Sequence, residues 1–294
     1  MKLFDLHCDT AYEMFKNKQD IISNSLAVDI KRAEDIEEYR QVMAFWCDSS
    51  LSDEECYADF IKTYNYLMER TEIPAPKGPF MLSVEDARLL CGELQRLESL
   101  YEMGIRFLIP VWGGKSIIGG AFDEDVGLTD FGKNVIRRCF ELGIVPDISH
   151  ASLKTADEMF EIAEYYNKPI IASHSCSYSV YDHPRNLRDE QFERIKKIGG
   201  IVGLSFCSYH LAPKNEECTS ENILLHIERY LELGGEDIIC LGADMDGAPL
   251  PSDLLGIQSI PMIYEKICDR FGKNVADKIT FNNANNFVNK NFNI

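Results

Sequence analysis

TDFGKNVIRRCFELGIVPDISH, residues 129–150, contains one full copy of the pattern that decides the fold. Apolar residues recur at three-to-four spacing through its first half, which predicts an amphipathic helix. Thr129 and Asp130 stand ahead of that helix as capping residues, and Gly143 ends it. A short β-rich apolar run, GIVPDI (143–148), follows at once, and His150 lies at its C-terminal end. A helix that leads straight into an apolar strand is half of a parallel β/α unit.

The same alternation extends in both directions. The other runs are KLFDL (2–6), QVMAFW (41–46), PFMLSV (79–84), GIRFLIPV (104–111), KPIIAS (168–173), GGIVGLSF (199–206) and DIICLGA (237–243). Helical patterns occupy 55–70, 93–104, 129–143, 153–168, 188–199 and 222–235, and four of them end in glycine just before the next run. Eight runs in 294 residues match a closed α/β barrel of the TIM type, (β/α)8, with residues 1–294 as a single domain. An open doubly wound sheet would more naturally place a glycine-rich phosphate loop after an early strand. The first run continues as FDLHCDTAYEMF, which has no glycine. The asparagine-rich tail FNNANNFVNKNF (281–292) carries phenylalanines and a valine that suit a packed terminal helix.

Composition narrows the function. Thirty basic residues against 48 acidic ones leave a net charge of −18. That disfavours a nucleic-acid partner, whose phosphates need a basic surface, and equally an anionic membrane surface. No apolar run approaches the length of a membrane-spanning helix, and MKLFDLHCDT does not read as a signal peptide. The ten cysteines include no C-x-x-C pair and often sit in apolar stretches. They read as reduced, buried thiols of a cytoplasmic protein.

In a barrel the chemical groups project from the C-terminal ends of the strands. Taken along that edge, the first run supplies His7 and Asp9, the third Glu85, the fifth His150, the sixth His174 and the eighth Asp244. Only six histidines exist in the chain, and three of them fall there. Singly each could be a hydrogen-bonded structural residue. Together they would leave several buried charges uncompensated without a cation. Imidazole with carboxylate suits zinc, and also manganese or iron. Two ions could share Glu85, with His7 and Asp9 on one and His150 and His174 on the other. That is a hydrolytic arrangement. Asp244 would move the proton between the attacking water and the leaving group. Asp246, one step farther out on the same face, ranks second for that task.

At these residues the chain resembles the renal or membrane dipeptidases, peptidase family M19 of the amidohydrolase superfamily. The resemblance rests on DLHCDT, LSVED, YEMGIRFLIP, 127–150, ASHSCSYSVYDHPRN (172–186) and GADMDG (242–247), in the family's order and roughly its spacing. It implies a (β/α)8 hydrolase with two zinc ions that cleaves dipeptides, often with a D-residue on the C-terminal side. It implies His7, Asp9, Glu85, His150 and His174 as ligands and Asp244 as the proton shuttle. It also implies that Arg185, in YDHPRN, grips the substrate's free carboxylate, a task suited to a guanidinium fork. Without the resemblance, Arg185 would read as a surface salt bridge. Dimers are common in the family, so the resemblance leaves a homodimer open, though nothing in the chain itself points to one.

Two departures stand out. Where the family usually has a histidine near the reaction centre after the fourth strand, LIPVWGGKS places Trp112. Tryptophan can stack or donate one N–H but cannot carry a positive charge. His183 and His210 are the candidate substitutes, with His210 taken as substrate-binding. The bridging glutamate is followed by Asp86 rather than glycine, which either adds charge near the metals or points away. Trp112 thus keeps open a metal-dependent hydrolase for another amide, a lactone or an ester, and a metal-binding homologue without turnover.

Overall fold

The computed structural model describes residues 1–71 and 80–292. Seven parallel strands form one curled sheet: β1 (Lys2–Cys8), β2 (Glu38–Trp46), β3 (Phe80–Glu85), β4 (Ile105–Ile109), β5 (Val145–Pro146), β6 (Val202–Leu204) and β7 (Ile239–Leu241). Their spatial order is β5-β4-β3-β2-β1-β7-β6. The helices are α1 (Thr10–Asn17), α2 (Asp53–Met68), α3 (Arg96–Glu102), α4 (Asp130–Leu142), α5 (Leu153–Tyr166), α6 (Asp189–Lys197), α7 (Ser208–Leu211), α8 (Ser220–Glu232), α9 (Ile260–Phe271), α10 (Lys273–Asp277) and α11 (Asn283–Asn291). Pro79, the first residue of the third sequence run, lies outside the described residues.

The sixth run, 168–173, is the exception to the eight-strand expectation. It pairs on both sides, but only through isolated bridges, Asp147 to Ile171 and Ala172 to Val202. The chain chemistry explains its brevity. Pro169 has no N–H to donate, and the Ser173 N–H goes to the Asp147 carboxylate at 3.1 Å instead of to a neighbouring strand. The segment nonetheless stands between β5 and β6 and completes the ring of a TIM-type barrel.

All eight runs contribute to one interior cluster, which includes Phe4, Val42, Met81, Phe107, Val145, Ile171, Ile201 and Cys240. The expected terminal helix, α11, packs Phe287 and Val288 into this cluster, joined by Phe281 and Phe292. The barrel interior is therefore a filled core, closed at the end away from the strand C-termini. A second, larger cluster lies between the sheet and the surrounding helices. Higher in the barrel the chain narrows: a Cβ on Gly203 or Gly242 would overlap the Ser173 carbonyl.

Helix boundaries follow the local chemistry. The Thr129 hydroxyl accepts from the Gly132 N–H at 3.0 Å and starts α4. Gly104, Gly143, Gly199 and Gly234, the predicted stops, all have positive φ, the conformation that lets the chain leave a helix sharply. Among the described residues, no helix is long and apolar enough to cross a membrane.

Candidate metal centre

The strand ends bring the predicted donors to one buried place. β1 ends at Cys8, so Asp9 is the residue ahead of α1 and no longer a strand residue. It still meets His7, with Oδ2 3.5 Å from His7 Nε2. The same nitrogen lies 3.6 Å from Glu85 Oε2 and 3.8 Å from Asp244 Oδ1. The other oxygen of Glu85 faces the opposite way, 3.0 Å from His150 Nε2 and 3.5 Å from His174 Nε2. Glu85 thus stands between a His7–Asp9–Asp244 group and a His150–His174 pair.

The hydrogen bonds fix the tautomers of that pair. His150 Nδ1 faces the Trp112 carbonyl at 3.0 Å, so Nδ1 carries the hydrogen. His174 Nε2 accepts from the Arg185 guanidinium at 2.7 Å, and its Nδ1–H donates to Ser173 Oγ at 2.8 Å. Neither Nε2 carries a hydrogen, and the two lie 2.9 Å apart. The Arg185 guanidinium meets the His174 lone pair, whereas the His150 lone pair faces Glu85 Oε1 at 3.0 Å with no hydrogen between them, a contact that a bound cation would relieve. On the other side His7 Nδ1, His7 Nε2 and Asp9 Oδ1 are buried without any hydrogen-bond partner. Orphaned buried donors and acceptors of this kind are rare in folded proteins. Geometry and donor chemistry both fit divalent metal ions.

The electrostatics agree. Burial lowers the His7 pKa, but the Glu85 and Asp9 carboxylates outweigh it and hold the imidazole well above its ordinary value. Burial, with Glu85 beside it, pushes Asp9 up to about 6. Burial, with help from Asp9 and Glu85, pushes Asp244 well above the carboxylate range. His150 and Asp244 both have left-handed backbone, φ 69° and 59°, which is uncommon outside glycine and recurs at functional sites.

A cavity of about 490 Å³ opens above these groups, lined among others by Arg185, Trp112 and His210. Arg185 is only 5% exposed, so it is not the surface salt bridge that its motif suggests by itself. Its guanidinium contacts His174 and the Ser175 hydroxyl, none of them a carboxylate, and its Nε has no partner. Burial pushes the His210 imidazole down to about 2, so it is neutral. His183 instead accepts from the Arg185 backbone N–H. Asp246 is occupied structurally, by the Thr10 hydroxyl and the Ala27 N–H, both at 2.6 Å. Asp86 points away: it pairs with Arg88 at 3.2 Å. The sequence reading passed over Tyr12, Trp46, Phe122 and Tyr209, which also line the cavity. Trp46 ends β2 on the same rim as Glu85, and that position was the available signal.

A TIM-type barrel with buried metal donors at its strand ends places the chain among barrel metallohydrolases. Residues 67–290 match the model of the membrane dipeptidases, peptidase family M19, and the chain belongs to that family. It is 29% identical over 212 residues to a protein from the pqqA 5′ region of Klebsiella pneumoniae, covering 68% of this chain and 77% of that one. An uncharacterized dipeptidase of Schizosaccharomyces pombe is 30% identical over 199 residues, 64% of this chain. The match spans 47%, about half, of that yeast protein's length. Among solved structures, dipeptidase AC, a metallo peptidase of family M19, superposes with a TM-score of 0.91 at 20% identity, covering 100% of this chain and 99% of the other. A metallo peptidase from Rhodobacter sphaeroides, liganded with a phosphinate mimic of the dipeptide L-Ala-D-Ala, superposes at 0.90 and 20% identity, covering 99% of each chain.

Proposed function

We propose that the chain is a dipeptidase that works with two divalent ions, zinc first among them, and accepts dipeptides with a D-residue at the second position. The observation that carries this reading is the split of Glu85: one oxygen toward His7, the other toward His150 and His174, at 3.0 and 3.5 Å from their Nε2 atoms. His7 and Asp9 would hold one ion, His150 and His174 the other, and Glu85 would bridge. Bound there, the ions supply Lewis acidity to the scissile carbonyl and a more acidic water.

The chain's own groups do the rest. Asp244, beside His7, takes the proton of the attacking water and delivers it to the leaving amine. Arg185 offers its free donors to the substrate's terminal carboxylate, which selects short peptides. Trp112 and His210 line the cavity around the substrate and exclude water. All ten cysteines are free, which supports a reducing, cytoplasmic location. Trp112 in the cavity wall favours one second reading, a metallohydrolase of the same layout acting on another amide, a lactone or an ester. A panel of dipeptides with L- and D-residues at the second position tests both. Cleavage that a chelator abolishes and zinc restores is expected. A zinc-loaded protein that cleaves none of them refutes the peptidase reading.

A further inference from the structure

Two buried carboxylates stand under the site without reaching into it. Asp5, in β1, accepts the His7 N–H at 3.0 Å and the Ala243 N–H at 3.0 Å, and Gln41 also donates to it at 3.0 Å. Asp147, just past β5, accepts the Ser149 N–H at 2.8 Å and the Ser173 N–H at 3.1 Å. The two patterns are alike. Each aspartate takes the N–H two residues ahead: Asp147 in the turn just past β5, Asp5 within β1. Each also reaches across to the residue immediately before the next donor: Ala243 precedes Asp244, and Ser173 precedes His174. Each interrupts regular pairing where it acts. The β1/β2 register shifts between Asp5 and Cys8, and beside Asp147 only isolated bridges form. Ser205, at the matching place in the seventh run, closes its own turn through the Cys207 N–H at 3.1 Å.

We infer that Asp5 and Asp147 are positioning residues, each aiming the donors of one half of the metal centre. Asp5 sets His7 together with Asp244; Asp147 sets His150 together with His174. The inference rests on the two-ion reading above. Residues behind metal ligands typically change affinity by about 10- to 100-fold when removed. A serine in either place can accept the N–H two residues ahead, as Ser205 does, but it is one atom too short to bridge to the neighbouring strand.

The test is zinc affinity, measured on chelator-stripped protein by competition with a chromophoric chelator. The wild type should take up two ions. Asp147→Ser should weaken one of them by about 10- to 100-fold and leave the other within about threefold. Asp5→Ser should weaken the other ion instead. In a background carrying both His150→Ala and His174→Ala, Asp147→Ser should add nothing, while Asp5→Ser keeps its effect. Asp147→Asn should keep both ions, because one oxygen accepts both N–H bonds and the second, Oδ2, has no partner to lose. That variant leaves the fold intact and tests the inference even if the serine form does not fold. Equal weakening of both ions, unchanged affinities, or an Asp147→Asn form as weak as Asp147→Ser would overturn it. A wild type that takes up fewer than two ions would instead sink the two-ion reading on which it rests.

Discussion

Arg185→Ala should remove the preference for substrates that end in a free carboxylate. The guanidinium is buried, its Nε has no partner, and its Ser175 contact is long at 3.3 Å. Two donors are therefore free to meet a carboxylate. A hydrogen bond to a charged group contributes about 1.5–3 kcal/mol, so a forked pair is worth roughly 3–6 kcal/mol. At about 1.4 kcal/mol per tenfold, kcat/KM on a dipeptide should fall about 140- to 20,000-fold. The matching dipeptide amide presents no carboxylate, and on it wild type and variant should differ by less than about tenfold. Arg185→Lys should recover part of the loss, since an ammonium is a point charge and cannot fork. Arg185 also donates to His174 Nε2 at 2.7 Å, so zinc content must be measured alongside. Equal loss on acid and amide substrates, with both ions retained, would refute the assignment.

Three further perturbations follow from the packing. A Cβ on Gly247 would overlap Asp9 Oδ2 and Asp244 Oδ1 and lie 3.0 Å from Asp9 Cγ. Gly247→Ala should therefore weaken zinc binding by more than about 100-fold, beyond the range for residues behind the ligands, with an unchanged circular dichroism spectrum; undisturbed affinity would show that these side chains do not hold the ion. Gly242→Ala drives a Cβ into the Ser173 backbone, with its carbonyl carbon 2.8 Å away. Backbone cannot swing aside as a side chain can, so this variant should lose about 3 kcal/mol, the upper end of the range for overpacking, in denaturant unfolding; a wild-type midpoint would refute the close approach. His226 accepts from the Ser177 N–H and faces the Leu211 carbonyl, and burial holds its pKa down to about 4 from 6.5. The unfolded state thus takes the proton first. The contribution of neutral His226 is complete above pH 6.5 and is lost as the pH falls toward 4, about 3 kcal/mol in all. His226→Gln should flatten the unfolding free energy of chelator-stripped protein across that window, and equal slopes for the two forms would contradict it.

The fold was legible because each unit repeats the same local chemistry. Thr129 caps α4, Gly143 stops it, and an apolar run follows, which pattern and turn chemistry alone can read. The sixth run takes its place in the ring through bridges alone, because apolar content marks a buried segment but not the partner of each N–H. Pro169 offers none, and Ser173 gives its own to Asp147. The donors were legible because a barrel sends every strand C-terminus to one rim. Arg185 was legible only through the family motif, because burial of a guanidinium leaves no mark on local sequence.

The residues that aim those donors were not legible, for a related reason. Alternation in a strand directs every second side chain inward, so a ladder continued to its end would splay neighbouring donors apart. His7 and Glu85 meet from within their strands, but for His150 and Asp244 convergence requires the strand ends to leave the ladder. Here they do so through left-handed backbone at His150 and Asp244 and through side-chain oxygens that take over the freed N–H groups. Each such backbone costs on the order of 1–3 kcal/mol. Each bond from a buried N–H to a neutral aspartate oxygen returns about 0.5–1.5 kcal/mol. Two bonds at Asp147 and two at Asp5 are enough to hold one strained residue on each side. On this balance the buried aspartates and the left-handed donors form a single device, and removing either part should loosen the other.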